Sequence, residues 1–185
     1  MNKILKAIIF ILISYITVSL LISKVRVPYE DTIRKVLFVV VLVMLVMLFD
    51  KKKLAYFGFK NPSRERLSML LSLLGVFAIY VIFHGFSLSL TSPSLLPTMC
   101  IILRAFCEEV FFCGYSQNVL QESLGRIEAI ILVSLFFCIY AFTSQWMILA
   151  ELLVLRLWLA FLFSLNLSLA PPLLGRVAYI AFSFF

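Results

Sequence analysis

Long apolar runs separated by short polar segments form the pattern of this chain. Most of the runs reach or approach the roughly 20 residues that a helix needs to cross a bilayer. They do not alternate with a period of two, as the strands of a membrane barrel would. The pattern therefore predicts six membrane-embedded helices and a short seventh, at residues 4–23, 36–49, 67–90, 95–119, 129–142, 146–165 and 173–185.

The polar segments between the runs differ in their basic residues, which indicates an orientation. The amino terminus and segment 50–66 lie on one side of the predicted bundle and hold eight Lys or Arg, whereas segment 24–35 on the other side holds four. Because cytoplasmic loops carry the excess of Lys and Arg, we expect a multi-pass protein of the cell membrane with a cytoplasmic amino terminus. Further breaks are predicted at 61–63, where Ser63 is a candidate helix cap, and at 91–97, 121–128, 143–145 and 166–172.

Composition narrows the class of protein. Hydrophobic residues make up 64% of the chain, charged residues 14%, and the mean hydropathy is +1.13. These values predict an all-α, polytopic transmembrane bundle of about six to seven helices, since helices satisfy their own backbone groups in lipid. The net charge of +7 comes mostly from residues flanking the spans, so we expect membrane lipids as partners and no nucleic acid. The four cysteines lie in apolar segments without CxxC spacing, which is typical of small buried side chains.

One apolar run contains a group of charged residues. Arg104, Glu108 and Glu109 lie within segment 95–119, where each unpaired charge would cost about 2.5–3.5 kcal/mol. Arg104 and Glu108 are four residues apart and share a helix face, whereas Glu109 has Cys113 at that spacing. Two interpretations stay open: a carboxylate pair, one ionised and one protonated, for acid–base work on a bound water, or an Arg–Glu pair that holds helices together.

Three further expectations concern charged and ionisable residues within the spans. Glu151 and Arg156 are five residues apart on one predicted helix, a spacing that does not favour a pair. We expect Arg104→Leu to cost more stability than Arg156→Leu, because Arg104 is the predicted partner of Glu108. The single histidine, His84, is expected to be a hydrogen-bonding residue of the bundle more than a ligand.

The segment from Glu108 to Tyr115, EEVFFCGY, resembles the first motif of the CPBP intramembrane proteases, also called Abi proteins. That family includes type II CAAX prenyl endopeptidases and bacteriocin-processing or self-immunity proteins. Segment 134–137 resembles the start of its second motif, and segment 168–174 resembles the lead-in to its third. The resemblance covers about residue 95 to the end, with a weaker similarity at 54–59. It divides the chain into an amino-terminal part, 1–66, with two spans and a basic cytoplasmic loop, and a CPBP-like membrane core, 67–185.

The resemblance implies a site for cutting peptide bonds in or near the membrane. Glu108 would be the general base that activates a water, and Glu109 its partner. The chain departs from the motifs elsewhere: Cys113 replaces an arginine, Arg176 replaces the histidine of the third motif, and either Tyr140 or Ala141 replaces that of the second. Ile180 replaces the asparagine. These residues place Arg104, Cys113, Tyr140 and Arg176 beside the site, with Arg176 a candidate partner for either glutamate. We expect Arg104 to replace part of the positive charge that is lost at Cys113.

The departures bear on the cofactor and on the function. The family's proposed divalent metal, zinc, would need about three protein ligands, and only Glu108, Glu109 and His84 are candidates. We therefore expect no metal site, with zinc bound only if the enzyme is active. Two functions stay open. One is an endopeptidase-like protein with a degraded active site, whose lineage acts on prenylated or leader peptides. The other is a non-catalytic membrane protein for bacteriocin self-immunity or partner binding.

Overall fold

The computed structural model describes residues 3–22, 30–59, 65–85, 95–141 and 145–182, and these form helices and no strands. The all-α bundle predicted from the apolar runs is confirmed. The predicted turn at 61–63 with Ser63, and most of the breaks at 91–97 and 143–145, lie outside the described residues. The seven helices of the described residues are α1 (Lys3–Ile22), α2 (Glu30–Asp50), α3 (Arg66–His84), α4 (Leu95–Glu109, Val110–Gln117 and Asn118–Ser123 in one run), α5 (Arg126–Tyr140), α6 (Trp146–Asn166) and α7 (Ala170–Phe182).

Four of these helices are long and apolar enough to cross a membrane: α1, α2, α3 and α6. Helices α5 and α7 have 15 and 13 residues, so they are shorter than a full span. The chain is a membrane protein. By length and composition, four of the described helices qualify as membrane spans, whereas the sequence predicted six.

Helix α2 begins earlier than the apolar pattern predicts. Residues 30–35 were assigned to a polar loop, but they form the first turns of the helix. Glu30 and Asp31 lie at the positive end of the helix dipole, and they pair with Arg34 and Lys35 one turn later. These contacts make a charged segment helical, which extends α2 to a full span.

The helices alternate in direction, so each end of the bundle collects the termini of several helices. At the amino-terminal end, Glu122 of α4 pairs with Lys3 at 3.0 Å and Lys52 at 3.3 Å. At the same end, Asn166 of α6 donates to the Ser68 hydroxyl of α3 at 2.6 Å. The opposite end, called here the far end, holds the last turns of α3 and α5.

A short 3-10 helix, Leu54–Phe57, follows α2 and packs against the middle of α4. A Cβ at Gly114 would lie 2.6 Å from the carbonyl oxygen of Phe57, so only glycine allows this approach. Asn118 donates hydrogen bonds to the carbonyls of Tyr56 and Gly114. The connection after α2 is therefore fixed to the part of α4 that follows its two glutamates.

Helix α4 changes its winding immediately after those glutamates. Residues Val110–Gln117 form a π-helical segment, whose hydrogen bonds run to the fifth residue back. The side chains of this segment are mostly buried, and Gln117 donates to the carbonyl of Ala160 in α6 at 2.8 Å. Such segments are rare and often accompany functional sites.

Candidate functional site

The two glutamates of α4 lie side by side but belong to different surroundings. Glu108 is 7% exposed and Glu109 is 1% exposed. Glu108 borders two cavities near the far end of the bundle, whereas Glu109 points into the packing between α4 and α6. Their roles therefore have to be considered separately.

Glu108 is bound by side chains from four helices. Its Oε1 accepts from Arg104 Nε at 3.0 Å, from the Tyr140 hydroxyl at 3.2 Å and from Lys35 Nζ at 3.3 Å. Arg176 Nη2 lies 3.7 Å from Oε2. The structure thus brings Arg104, Tyr140 and Arg176 to Glu108, as the sequence predicted, and adds Lys35, which the sequence did not indicate.

A second carboxylate joins this group. Asp31 of α2 pairs with Arg104 at 3.2 Å and with Lys35 at 3.4 Å. Two carboxylates, Asp31 and Glu108, thus meet three cations, which we call the Glu108 cluster: Asp31, Lys35, Arg104, Glu108 and Arg176. Among the described residues, the cluster carries one positive charge in excess.

Glu109 has a partner that sequence reasoning missed. Its Oε1 accepts from Arg156 Nη1 at 2.6 Å, and both side chains are 1% exposed. Arg156 Nη2 also lies 3.4 Å from Cys113 Sγ. The guanidinium carbon is 5.1 Å from the ring centroid of Phe112 and 4.8 Å from that of Phe137. Arg156 is thus a fully enclosed cation that depends on Glu109 for its charge partner.

This contact corrects one expectation. Arg104 was expected to replace part of the positive charge lost where Cys113 stands in the motif. Instead, Arg104 binds Glu108, and Arg156 of α6 brings its guanidinium to Cys113. The cation missing from α4 is supplied from α6. The expectation that Glu151 and Arg156 do not pair agrees with the structure, since each binds a residue on another helix.

His84 lies in a separate cluster. Its Nε2 is 2.9 Å from Glu151 Oε1, and the Tyr179 hydroxyl donates to the same oxygen at 2.7 Å. This cluster links α3, α6 and α7 at the far end. The interpretation of His84 as a hydrogen-bonding residue of the bundle agrees with this placement.

Two cavities border Glu108 and Tyr140. The first, of about 510 Å³, lies between α1, α2 and α4 and has mostly apolar walls with Lys35 and Asp31 at one end. The second, of about 230 Å³, lies between α4, α5, α6 and α7. The residues that line the second cavity are Ile101, Arg104, Ala105, Glu108, Phe137, Tyr140, Ala141, Leu152, Arg176 and Ile180.

The second cavity gathers the positions at which the chain departs from the family's motifs. Tyr140, Ala141, Arg176 and Ile180 all line it together with Glu108. The positions that the sequence assigned to the second and third motifs therefore lie around one cavity in the fold. The arrangement also leaves open which of Tyr140 and Ala141 replaces the histidine, because both face the same space.

These side chains do not suit a divalent metal. In the part of the chain that the structure describes, no three His, Cys, Asp or Glu residues come close enough to share an ion. Glu108 is surrounded by cations, which would repel a metal, and Glu109 is closed off by Arg156. His84, the third candidate ligand, binds Glu151. The residues of this site therefore do not fit zinc.

Comparison with known proteins gives one match. No curated protein and no solved structure matches the chain. The family model described as type II CAAX prenyl endopeptidase Rce1-like matches residues 70–182, which is more than half of the chain and includes every residue that lines the second cavity. With its helical membrane bundle and its glutamate pair on α4, the chain belongs to the type II CAAX prenyl endopeptidase Rce1-like family, within the CPBP intramembrane endopeptidases.

Proposed function

We propose that this chain is a non-catalytic member of its family, with a degraded active site that binds a peptide in the membrane without cutting it. The observation that carries the proposal is the set of donors around Glu108. Three cations and a hydroxyl lie within 3.7 Å of the carboxylate expected to be the general base. Donors that already occupy the carboxylate leave Glu108 less able to accept a proton from an attacking water.

Peptide hydrolysis requires a base for the attacking water, stabilisation of the oxyanion and an acid for the leaving amine. Oε1 of Glu108 already accepts from Arg104, Tyr140 and Lys35. A water at Oε2 would meet the guanidinium of Arg176, which has no lone pair to accept a proton or bind a metal. The base would thus act without the histidine that the family places opposite it.

The acid is equally constrained. Glu109 would have to give a proton to the leaving amine, but its carboxylate is 1% exposed and pairs with Arg156 at 2.6 Å. Releasing it would leave a buried guanidinium uncompensated, at a cost of about 3–5 kcal/mol. We infer that Glu109 is a structural residue, whose place in the motif is kept because Arg156 depends on it.

A reconstitution assay tests the proposal. The purified chain is placed in liposomes with a prenylated peptide or with a leader peptide, with zinc or with a chelator, and the products are identified by mass spectrometry. We expect intact peptide in every sample and measurable binding of the peptide. Chelator-sensitive cleavage that Glu108→Ala abolishes would overturn the proposal.

A second assay separates a degraded site from a protein that has merely lost its fold during purification. Restoring the two motif histidines in one variant, Tyr140→His with Arg176→His, changes only positions around Glu108 and leaves Cys113 and Arg156 in place. We expect this variant to melt within a few degrees of the unmodified chain. Peptide binding by the unmodified chain, measured in the same liposomes, shows that the site is accessible.

The proposal extends to location and orientation. We propose a multi-pass protein of the cell membrane with its amino terminus in the cytoplasm, supported by Lys3, Lys6, Lys52 and Arg126 at the amino-terminal end of the bundle. Labelling of Lys52→Cys in intact cells by a membrane-impermeant reagent tests this orientation. We expect labelling only after the cells are opened, and ready labelling of intact cells would reverse the orientation.

Three kinds of peptide are candidates for the bound ligand. A prenylated peptide, a leader peptide and a bacteriocin against which the protein confers self-immunity share an apolar body that suits the first cavity. Comparing their affinities in the reconstituted system assigns the partner.

A further inference from the structure

We propose that a third cavity, at the amino-terminal end of the bundle, binds the phosphodiester of an anionic membrane lipid through Lys3 and Lys52. This cavity has a volume of about 290 Å³ and lies between the start of α1, the end of α2 and the last turns of α4. Glu108 and Glu109 do not line it. The proposal is therefore independent of whether the chain binds or cuts peptides.

The charges that line the third cavity do not balance. Lys6 and Asp50 form one neutral pair. Lys3 and Lys52 share a single carboxylate, Glu122, at 3.0 Å and 3.3 Å. Among the described residues that line the cavity, three lysines thus meet two carboxylates, which leaves one positive charge in excess. One singly charged anion, such as a phosphodiester, would balance this charge.

The two lysines that share Glu122 can bind a ligand without leaving that carboxylate unpaired. Their side chains are 63% exposed for Lys3 and 39% exposed for Lys52. An ammonium group has three donors, so each lysine keeps donors for the oxygens of a phosphate. Lys52 Nζ lies 4.3 Å from the ring centroid of Tyr56, which also lines the cavity, and this contact holds the ammonium in place.

The position of the third cavity indicates that the anion belongs to a lipid. Helix α1 begins and α2 ends beside it, and both qualify as membrane spans, so the cavity lies at the level of the lipid headgroups. Next to its charged residues, the side chains of Leu5, Ile8 and Phe49 are 51%, 47% and 67% exposed. The cavity would hold the headgroup, and the acyl chains would lie against these apolar side chains. In the orientation proposed above, this end faces the cytoplasmic leaflet, which carries anionic lipids.

The test measures which lipid stays bound to the full chain. The purified protein in a non-ionic detergent is mixed with equal amounts of phosphatidylglycerol and phosphatidylcholine that carry the same acyl chains. Native mass spectrometry counts the bound lipids of each kind, and their ratio is the lipid preference. Glycerophosphoglycerol, the same anionic headgroup without acyl chains, is the competitor that separates a lipid from a soluble phosphodiester.

We expect the unmodified chain to prefer phosphatidylglycerol, and Lys52→Gln to lower this preference about fivefold, the effect of one lysine beside an anionic lipid. Glu122→Gln should raise the preference, because it removes a carboxylate that competes for Lys3 and Lys52. Arg66→Gln is the matched control and should leave the preference unchanged. It removes one positive charge from the same end of the bundle, but Arg66 is exposed at the start of α3 and does not line the cavity.

Equal retention of the two lipids by the unmodified chain would overturn the proposal, as would an unchanged preference in a folded Lys52→Gln variant. An equal loss in Arg66→Gln would also overturn it, since the effect would then come from surface charge in general. Displacement of phosphatidylglycerol by glycerophosphoglycerol at equal concentration would assign the cavity to a soluble phosphodiester instead. The melting temperature of each variant is measured in the same detergent. If Lys52→Gln does not fold, the lipid preference of the unmodified chain and its change in Glu122→Gln still decide.

Discussion

Removing the charge of Arg156 should be among the most damaging single changes in this membrane bundle. The guanidinium and its partner Glu109 are each 1% exposed, so Arg156→Leu leaves a carboxylate enclosed without a cation. Breaking a buried pair in this way costs about 3–5 kcal/mol. For a chain of this size, 1 kcal/mol corresponds to about 2–4 °C in melting temperature, so we expect a loss of about 6–20 °C.

The matched comparison is Arg104→Leu, which removes a guanidinium from the same region. Arg104 is 47% exposed, and Glu108 keeps Lys35 and Arg176 after the change. Exposed pairs contribute about 1 kcal/mol or less, so the expected loss is below about 4 °C. This order is the reverse of the one that the sequence alone suggested, because helical spacing showed the pair of Arg104 and could not show that of Arg156.

A variant that relocates the cation tests whether Glu109 requires a positive charge beside it. Cys113→Arg combined with Arg156→Leu moves the cation from α6 to α4, beside Glu109. We expect the double variant to recover at least half of the stability that Arg156→Leu loses. Cys113→Arg alone should destabilise the protein, because it encloses two guanidinium groups around one carboxylate.

The assay is thermal unfolding of the purified variants in one detergent, followed by intrinsic fluorescence. The reasoning is refuted if Arg156→Leu and Arg104→Leu melt at the same temperature. It is also refuted if the double variant is no more stable than Arg156→Leu, since the charge of Arg156 would then not be what Glu109 requires.

Two further predictions concern other contacts. Gly114→Ala should lower the melting temperature, although alanine normally stabilises a helix by about 1 kcal/mol over glycine, because the new Cβ would meet the carbonyl of Phe57 at 2.6 Å. Glu151→Leu should lower the free energy of unfolding by about 2–3 kcal/mol, because it removes an acceptor that joins α3, α6 and α7. Glu30→Leu, which removes an exposed pair, should lower it by less than about 1 kcal/mol. Thermal unfolding measures both variants, and equal losses of stability would contradict the prediction.

Local patterns in the sequence predicted the parts of this structure that depend on neighbours along the chain. The apolar runs gave the helices, and the spacing of four residues gave the pair of Arg104 and Glu108. The start of α2 was missed because a charged segment is read as a loop unless its own pairs are considered. Glu30 with Arg34 was the signal that could have shown it.

The contacts that sequence reasoning missed join residues far apart in the chain. Lys35 reaches Glu108 across 73 positions, and Arg156 reaches Glu109 across 47. Nothing in helical periodicity selects these pairs, since they depend on which helices pack together. The one available signal was that Arg156 is a charged residue within a predicted span. An unpaired charge in a span is costly, so Arg156 needs an acidic partner on some other helix.

The π-helical segment Val110–Gln117 bears on where this family member can change in length. It follows the two glutamates, and its last residue, Gln117, and the next, Asn118, fix α4 to its neighbours. Because a π-helical turn holds about one residue more than an α-helical turn, removing one residue there would restore α-helical winding while both halves of α4 keep nearly the same faces. In an α-helical stretch, the same deletion would turn one half of the helix by about 100° relative to the other. The segment is therefore the part of α4 in which the loss of a single residue disturbs the glutamates and the anchoring amides least.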